Sequence, residues 1–166
     1  MSVSKHKYHT KGYKIDIRAY REDGTKKTPD EVYADIKANS PDNLLLAVDM
    51  YLSQRPGVNV TKEQICMDLY GEYTDSLDRN VRDAVADLVT YLERPYITTS
   101  HEEGYKNCMD VIDLDPGIAD LEKRINTSKL RLEGLKASRV RLLEGKQRIP
   151  VQIPTSIMSE TSGLLW

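Results

Sequence analysis

Apolar positions set the first divisions of the chain. Tyr13, Ile15, Ile17 and Ala19 alternate with Lys14, Asp16, Arg18 and Tyr20, a period of two that predicts a strand in an N-terminal arm. Glu22-Asp23-Gly24 reads as a turn. Thr28-Pro29-Asp30-Glu31 has the form of a capping box with Pro at the first helical position, and predicts a short helix to about Ala38. Ser40-Pro41-Asp42 repeats the start signal before Leu44, Leu45, Ala47, Val48, Tyr51 and Leu52, and Pro56-Gly57 stops that helix. Thr61-Lys62-Glu63-Gln64 is a further capping box, opening a helix that carries Ile65, Met67 and Leu69 and ends at Gly71. After a polar stretch, Leu77, Val81, Val85, Leu88, Val89 and Leu92 recur at three-to-four spacing, as on an amphipathic helix facing a core.

The period then changes. Tyr96-Ile97-Thr98-Thr99 and Tyr105 to Met109 predict two strands about the turn His101-Glu102-Glu103-Gly104. Asp115-Pro116 is expected to cap a last helix running to about Lys146. Along it Ile118, Leu121, Ile125, Ser128, Leu132, Leu135, Arg139 and Leu142 step three, four, three, four, as the a and d positions of a heptad repeat do. That seam predicts either a strap over the rest of the chain or, preferred here, a homodimer interface through Ile118, Leu121, Ile125, Leu132, Leu135 and Leu142. Pro150, Pro154 and many Ser and Thr make the end of the chain an extended tail. The expected divisions are residues 1–40 (arm with strand and short helix), 41–114 (a compact helix–strand module), 115–146 (long amphipathic helix) and 147–166 (tail).

Composition narrows the classes. The 166 residues carry 24 cations and 26 anions. Their distribution says more than the total. Residues 1–28 are net +5, residues 29–120 net −12 and residues 121–166 net +5, so basic flanks enclose an acidic centre. No apolar run approaches the roughly 18 residues of a membrane span. The polar first residues do not read as a signal peptide. Cys66 and Cys108 fit no zinc spacing or disulfide framework. These features predict a chain of the cytoplasm that does not associate with membranes.

His6, His9 and His101 lack ligand spacing. Asp110, Asp113 and Asp115 lack the Gly and distal Glu of a calcium loop. No phosphate-binding Gly loop or nucleophile elbow occurs. The chain is therefore expected to be non-enzymatic, with no cofactor and no metal.

Three helices followed by a hairpin is the order of a winged helix-turn-helix. Asp78-Arg79-Asn80-Val81-Arg82-Asp83-Ala84-Val85, Leu88, Pro95-Tyr96-Ile97-Thr98-Thr99 and Glu103-Gly104-Tyr105-Lys106 resemble the third helix and wing of bacterial winged-helix domains. The likeness is to biotin-operon-repressor-type DNA-binding domains and small phage regulatory proteins, over about 70 residues. It implies a winged helix-turn-helix core, so that with the strand-containing N-terminal arm and the long C-terminal helix the expected fold class is α+β. The function it implies is control of transcription or replication by binding double-stranded DNA. Arg79, Asn80 and Arg82 would then meet bases or phosphates, and Lys62 and Lys106 phosphates. The arm would assist with Lys11 and Lys14. Arg to guanine and Asn to adenine are sound pairings, each worth about 1–3 kcal/mol of discrimination.

The acidity of the same segment supports a different expectation. Asp75, Asp78, Asp83, Asp87, Glu102 and Glu103 would form an acidic face for a host protein. The chain would then act as an inhibitor or DNA mimic on a nucleic-acid-binding protein, as an anti-CRISPR does.

Overall fold

The structure, a computed structural model, describes Tyr13, residues 15–99 and residues 104–145. It is a mixed α+β chain of five helices and a small three-stranded antiparallel sheet. Lys11, Lys14, Glu102, Glu103 and the tail from residue 147 lie outside the described residues. Two compact units divide the chain, residues 1–121 and 122–166.

Helix α1 (Pro29–Asn39) starts where its capping box places it. Thr28 Oγ1 accepts from the Glu31 amide at 3.3 Å and Glu31 accepts from the Thr28 amide at 2.7 Å. Arg21 grips the same carboxylate with two contacts of 2.8 and 2.6 Å. The Arg21 bonds first, and the Thr28 amide second, hold the Glu31 carboxyl down to about 2. Ser40 does not open the next helix, because its own amide closes α1 by donating to Ile36 O at 2.8 Å. Asn43 is the cap of α2 (Leu44–Ser53) instead, accepting from the Leu45 amide at 2.8 Å.

A three-residue strand, β1 (Asn59–Thr61), precedes α3 (Lys62–Tyr70). Thr61 ends the strand and caps the helix, accepting from the Gln64 amide, while Gly71 terminates α3 at φ +80°. Helix α4 (Asp75–Leu92) is capped by Thr74 and closes through Glu93, a non-glycine residue in the left-handed region at φ +52°. Strands β2 (Tyr96–Thr99) and β3 (Gly104–Asn107) follow, and the sheet order is β1-β3-β2. Tyr105 is the central register point, opposite Val60 on one side and Thr98 on the other. Gly104 permits the close approach of β1 to β3: a Cβ there would lie 2.1 Å from Val60 O.

The arm departs from its expected form. Residues 15–19 form no strand, and Tyr20 makes only an isolated bridge to Lys26. The alternation is nevertheless expressed as burial. Ala19 is buried, Tyr13, Ile15 and Ile17 pack on the core half-buried, and Asp16, Arg18 and Tyr20 are exposed. Extended chain laid across a core selects every second residue as a strand does; without a neighbouring ladder it remains irregular.

One core joins α1 to α4 and the sheet, centred on Leu45, Leu52, Ile65, Val81 and Leu88. Asp49 of α2 lies within it. Its carboxylate accepts from Tyr96 Oη at 2.6 Å and from Arg94 Nε and Nη2 at 3.1 Å each, tying α2 to the start of β2.

Helix α5 (Val111–Leu143) starts earlier than Asp115-Pro116 suggests. Asp110 caps it, accepting from the Asp113 amide at 2.8 Å, and Pro116 lies inside the helix. Proline removes one helical donor there. Its would-be acceptor, Ile112, is exposed, so water can replace the lost bond. No residue of α5 is buried. Among the described residues, no helix is long and apolar enough to cross a membrane.

Candidate nucleic-acid interface

Helix α4 divides cleanly into two faces. Leu77, Val81, Ala84, Val85, Leu88 and Leu92 enter the core, each at most 7 % exposed. The opposite side presents Asp75, Ser76, Arg79, Arg82, Asp83, Ala86 and Thr90 to solvent. The N-terminal half of this stripe carries both arginines of the sequence motif.

Asn80 and Asp78 do not belong to that exposed stripe. Asn80 is 7 % exposed, and its Oδ1 accepts from the Tyr13 amide at 3.0 Å, fastening the arm to α4. Asn80 stands three residues after Leu77 and one before Val81, on the inner side of the helix. It is therefore a structural acceptor here, not a side chain offered to a base.

Asp78 is 4 % exposed and accepts from Arg82 Nη2 at 2.6 Å and from Tyr105 Oη at 3.2 Å. Burial first, and the Asp78 carboxylate second, push the Tyr105 phenol above its ordinary range, so it stays a neutral donor. The hydrogen bond to Asp78 holds the Arg82 guanidinium still more firmly protonated. Arg82 keeps 60 % of its side chain exposed while one end of its fork is fixed. A carboxylate in the core, oriented by a strand, thus aims a cation at solvent.

The remaining candidates fall on different surroundings. Arg79 is exposed, and no described side chain pairs with it. Lys62 opens α3 half-buried, with Nζ 6.0 Å from the centroid of the Tyr73 ring. Lys106 of β3 directs Nζ to Asp113 Oδ1 at 3.1 Å, so a carboxylate already neutralises it. Asp75 and Asp83 are exposed. Asp87 is half-buried beside Tyr13, and burial, together with the nearby Asp83 charge, pushes its carboxyl up. Of the acidic face expected from sequence, Asp75, Asp83 and Asp87 remain accessible, and Asp78 is withdrawn into the core.

The seam residues of α5 are open to solvent. Ile118, Leu121, Ile125, Leu132, Leu135 and Leu142 are 46–69 % exposed.

The exposed stripe of α4 offers hydrogen-bond donors and charge of both signs. Among the described residues no group of three His, Cys, Asp or Glu can hold a metal ion. Cys66 and Cys108 are free and buried, and burial pushes the Cys66 thiol up to about 12.

The Asp78–Arg82 pair could have been read from its i, i+4 spacing. The Tyr105 contact, 27 residues away, leaves no such trace.

Comparison with known proteins gives no matching family model, no similar curated protein and no similar solved structure.

Proposed function

We propose that residues 41–114 form a winged helix-turn-helix that binds double-stranded DNA, with the exposed stripe of α4 in the major groove. On this reading the chain is a phage-type regulatory protein that controls transcription or replication, acting in the bacterial cytoplasm. The observation that carries the proposal is topological. Helix α2, strand β1, helices α3 and α4, then strands β2 and β3 follow one another, with β3 central in the sheet. In such a module the third helix enters the groove and the terminal hairpin forms the wing.

Two side chains support the reading in detail. Arg79 is an uncommitted cation on the stripe. Arg82 is anchored by Asp78 from behind, which reduces the rotamer freedom a bidentate contact must remove.

Selection from a random duplex pool at about 50 mM salt, where phosphate attraction is strong, tests the proposal. A recovered motif is expected, and Arg79→Ala with Arg82→Ala reduces affinity for it by about 10- to 100-fold or more, from the usual worth of such contacts. No enrichment at that salt overturns it.

A second reading rests on a specific observation: the cations of this segment are largely spent within the chain. Arg94 pairs with Asp49, Arg82 with Asp78 and Lys106 with Asp113, while Asp75 and Asp83 face solvent. A protein with a basic surface fits that face better than a phosphate backbone does. Capture of a host nucleic-acid-binding protein from a bacterial lysate, lost on charge reversal at Asp83 and Asp87, is its expected result. Capture that survives the reversal counts against it.

A further inference from the structure

We infer that α5 pairs with α5 of a second copy of this chain in an antiparallel coiled coil. This goes beyond the proposed function and does not depend on it. The starting point is that a 33-residue helix buries none of its residues. Helices gain most of their stability from packing an apolar face, and α5 carries such a face in an unbroken a/d register from Ile118 to Leu142. Gly117 and Gly134 weaken it as an isolated helix, which increases its need for a partner.

Charge selects both the partner and its direction. From Val111 to Glu122 the helix has four carboxylates and no cation; from Arg131 to Leu143 it has four cations and one carboxylate. A second copy running the opposite way sets the acidic beginning of one helix against the basic end of the other. In that alignment Ile118 faces Leu142, Leu121 faces Arg139, Ile125 faces Leu135 and Ser128 faces Leu132 of the other copy. Glu122 then lies across from Lys136 and beside Arg139, and symmetry makes this contact twice.

A parallel, in-register pair does the reverse. Arg139 meets its own copy in the seam, and Ser128 meets Ser128. Across the flanks Arg124 meets Lys129 and Arg131 meets Lys136, each twice, giving four like-charge contacts. The antiparallel alignment keeps two, Lys129 and Arg131 each against its twin near the two-fold axis, and gains two attractive ones. Each seam flaw also moves opposite a leucine.

Crosslinking of full-length chains decides the point. Ile125→Cys and Leu135→Cys chains are mixed and mildly oxidised; the native Cys66 and Cys108 are buried. The expected product joins Ile125→Cys to Leu135→Cys. A dominant product joining two Ile125→Cys chains indicates a parallel pair and overturns the inference. So does the absence of crosslinks together with a monomer in sedimentation.

Lys136→Glu provides a second readout with opposite signs. It weakens an antiparallel pair about tenfold, since exposed pairs are individually small but occur here twice, and adding Glu122→Lys restores it. In a parallel pair Lys136→Glu strengthens association by relieving Arg131. Strengthened or unchanged association therefore overturns the inference.

Discussion

Helices α4 and α5 carry the same signal in sequence and meet opposite fates in the fold. Both repeat apolar residues every three or four positions. In α4 Leu77, Val81, Val85, Leu88 and Leu92 are at most 7 % exposed and Val89 is half-buried; in α5 the six apolar seam residues from Ile118 to Leu142 are 46–69 % exposed. Periodicity states that a helix has an apolar face, and it is silent on what covers that face. The neighbours of α4 are supplied by short connections: Gly71 to Thr74 turns α3 into it, and Glu93 to Pro95 turns it into β2. The polar positions complete the contrast. Asp78 and Asn80 of α4 are drawn inward and paired by Tyr105 and Tyr13, whereas Arg139 and Ser128 within the α5 seam are exposed.

The strongest way to break this comparison is to remove the same side chain from both helices. Leu88→Ala in α4 is expected to cost about 2–5 kcal/mol, the range for deleting a buried leucine, at any protein concentration. Leu132→Ala in α5 is expected to cost less than about 0.5 kcal/mol in dilute protein, and more as concentration rises and the exposed face acquires a partner. Urea unfolding at two protein concentrations reads both. Equal losses in dilute protein would erase the distinction between the helices.

Legibility followed range in the chain. The caps at Thr28 and Thr61 depend on residues three apart, and their start points were plain in the sequence. So was α4, whose stripe is long. Strand β1 was not: three residues give no period, and its pairing partner Tyr105 lies far along the chain. The arm's alternation correctly separated inner from outer side chains, yet it cannot distinguish a ladder from extended chain lying on a core. Asp115-Pro116 is a good cap by composition, yet α5 starts at Val111 because Asp110 already supplies one.

In the candidate site, the resemblance drew attention to Arg79, Asn80 and Arg82 together, although helical spacing alone places Asn80 beside Leu77, Val81 and Ala84. The core role of Asp49 had no signal, since its partners Arg94 and Tyr96 come from after α4.

A carboxylate comparison sharpens the same lesson at a smaller scale. Asp49→Ala strands a buried phenol and half of an arginine fork, and is expected to cost about 2–3 kcal/mol after allowing for the partial exposure of Arg94. Asp83→Ala, on the exposed stripe of α4, is expected to change stability by no more than about 0.5 kcal/mol. Thermal unfolding of the two variants measures the difference. A loss at Asp83 comparable to that at Asp49 would mean that the outer face of α4 is also covered in solution.

The finest test lies within α5, at its two glycines. Nothing lies within 4 Å of a Cβ added to Gly134, whereas one added to Gly117 would sit 2.5 Å from Ile97 Cγ2 and 3.1 Å from Ile97 Cβ. Alanine is favoured over glycine in a helix by about 1 kcal/mol, and at Gly134 nothing opposes that gain. At Gly117 the β-branched Ile97 has little rotamer freedom with which to yield, so the clash offsets the gain and reverses it. Gly134→Ala is therefore expected to raise helix content on heating and to strengthen association through α5. Gly117→Ala is expected to lower the unfolding temperature of the core. If both substitutions stabilise equally, the contact between the first turns of α5 and β2 is looser than 2.5 Å implies, and α5 behaves along its whole length as an unsupported helix.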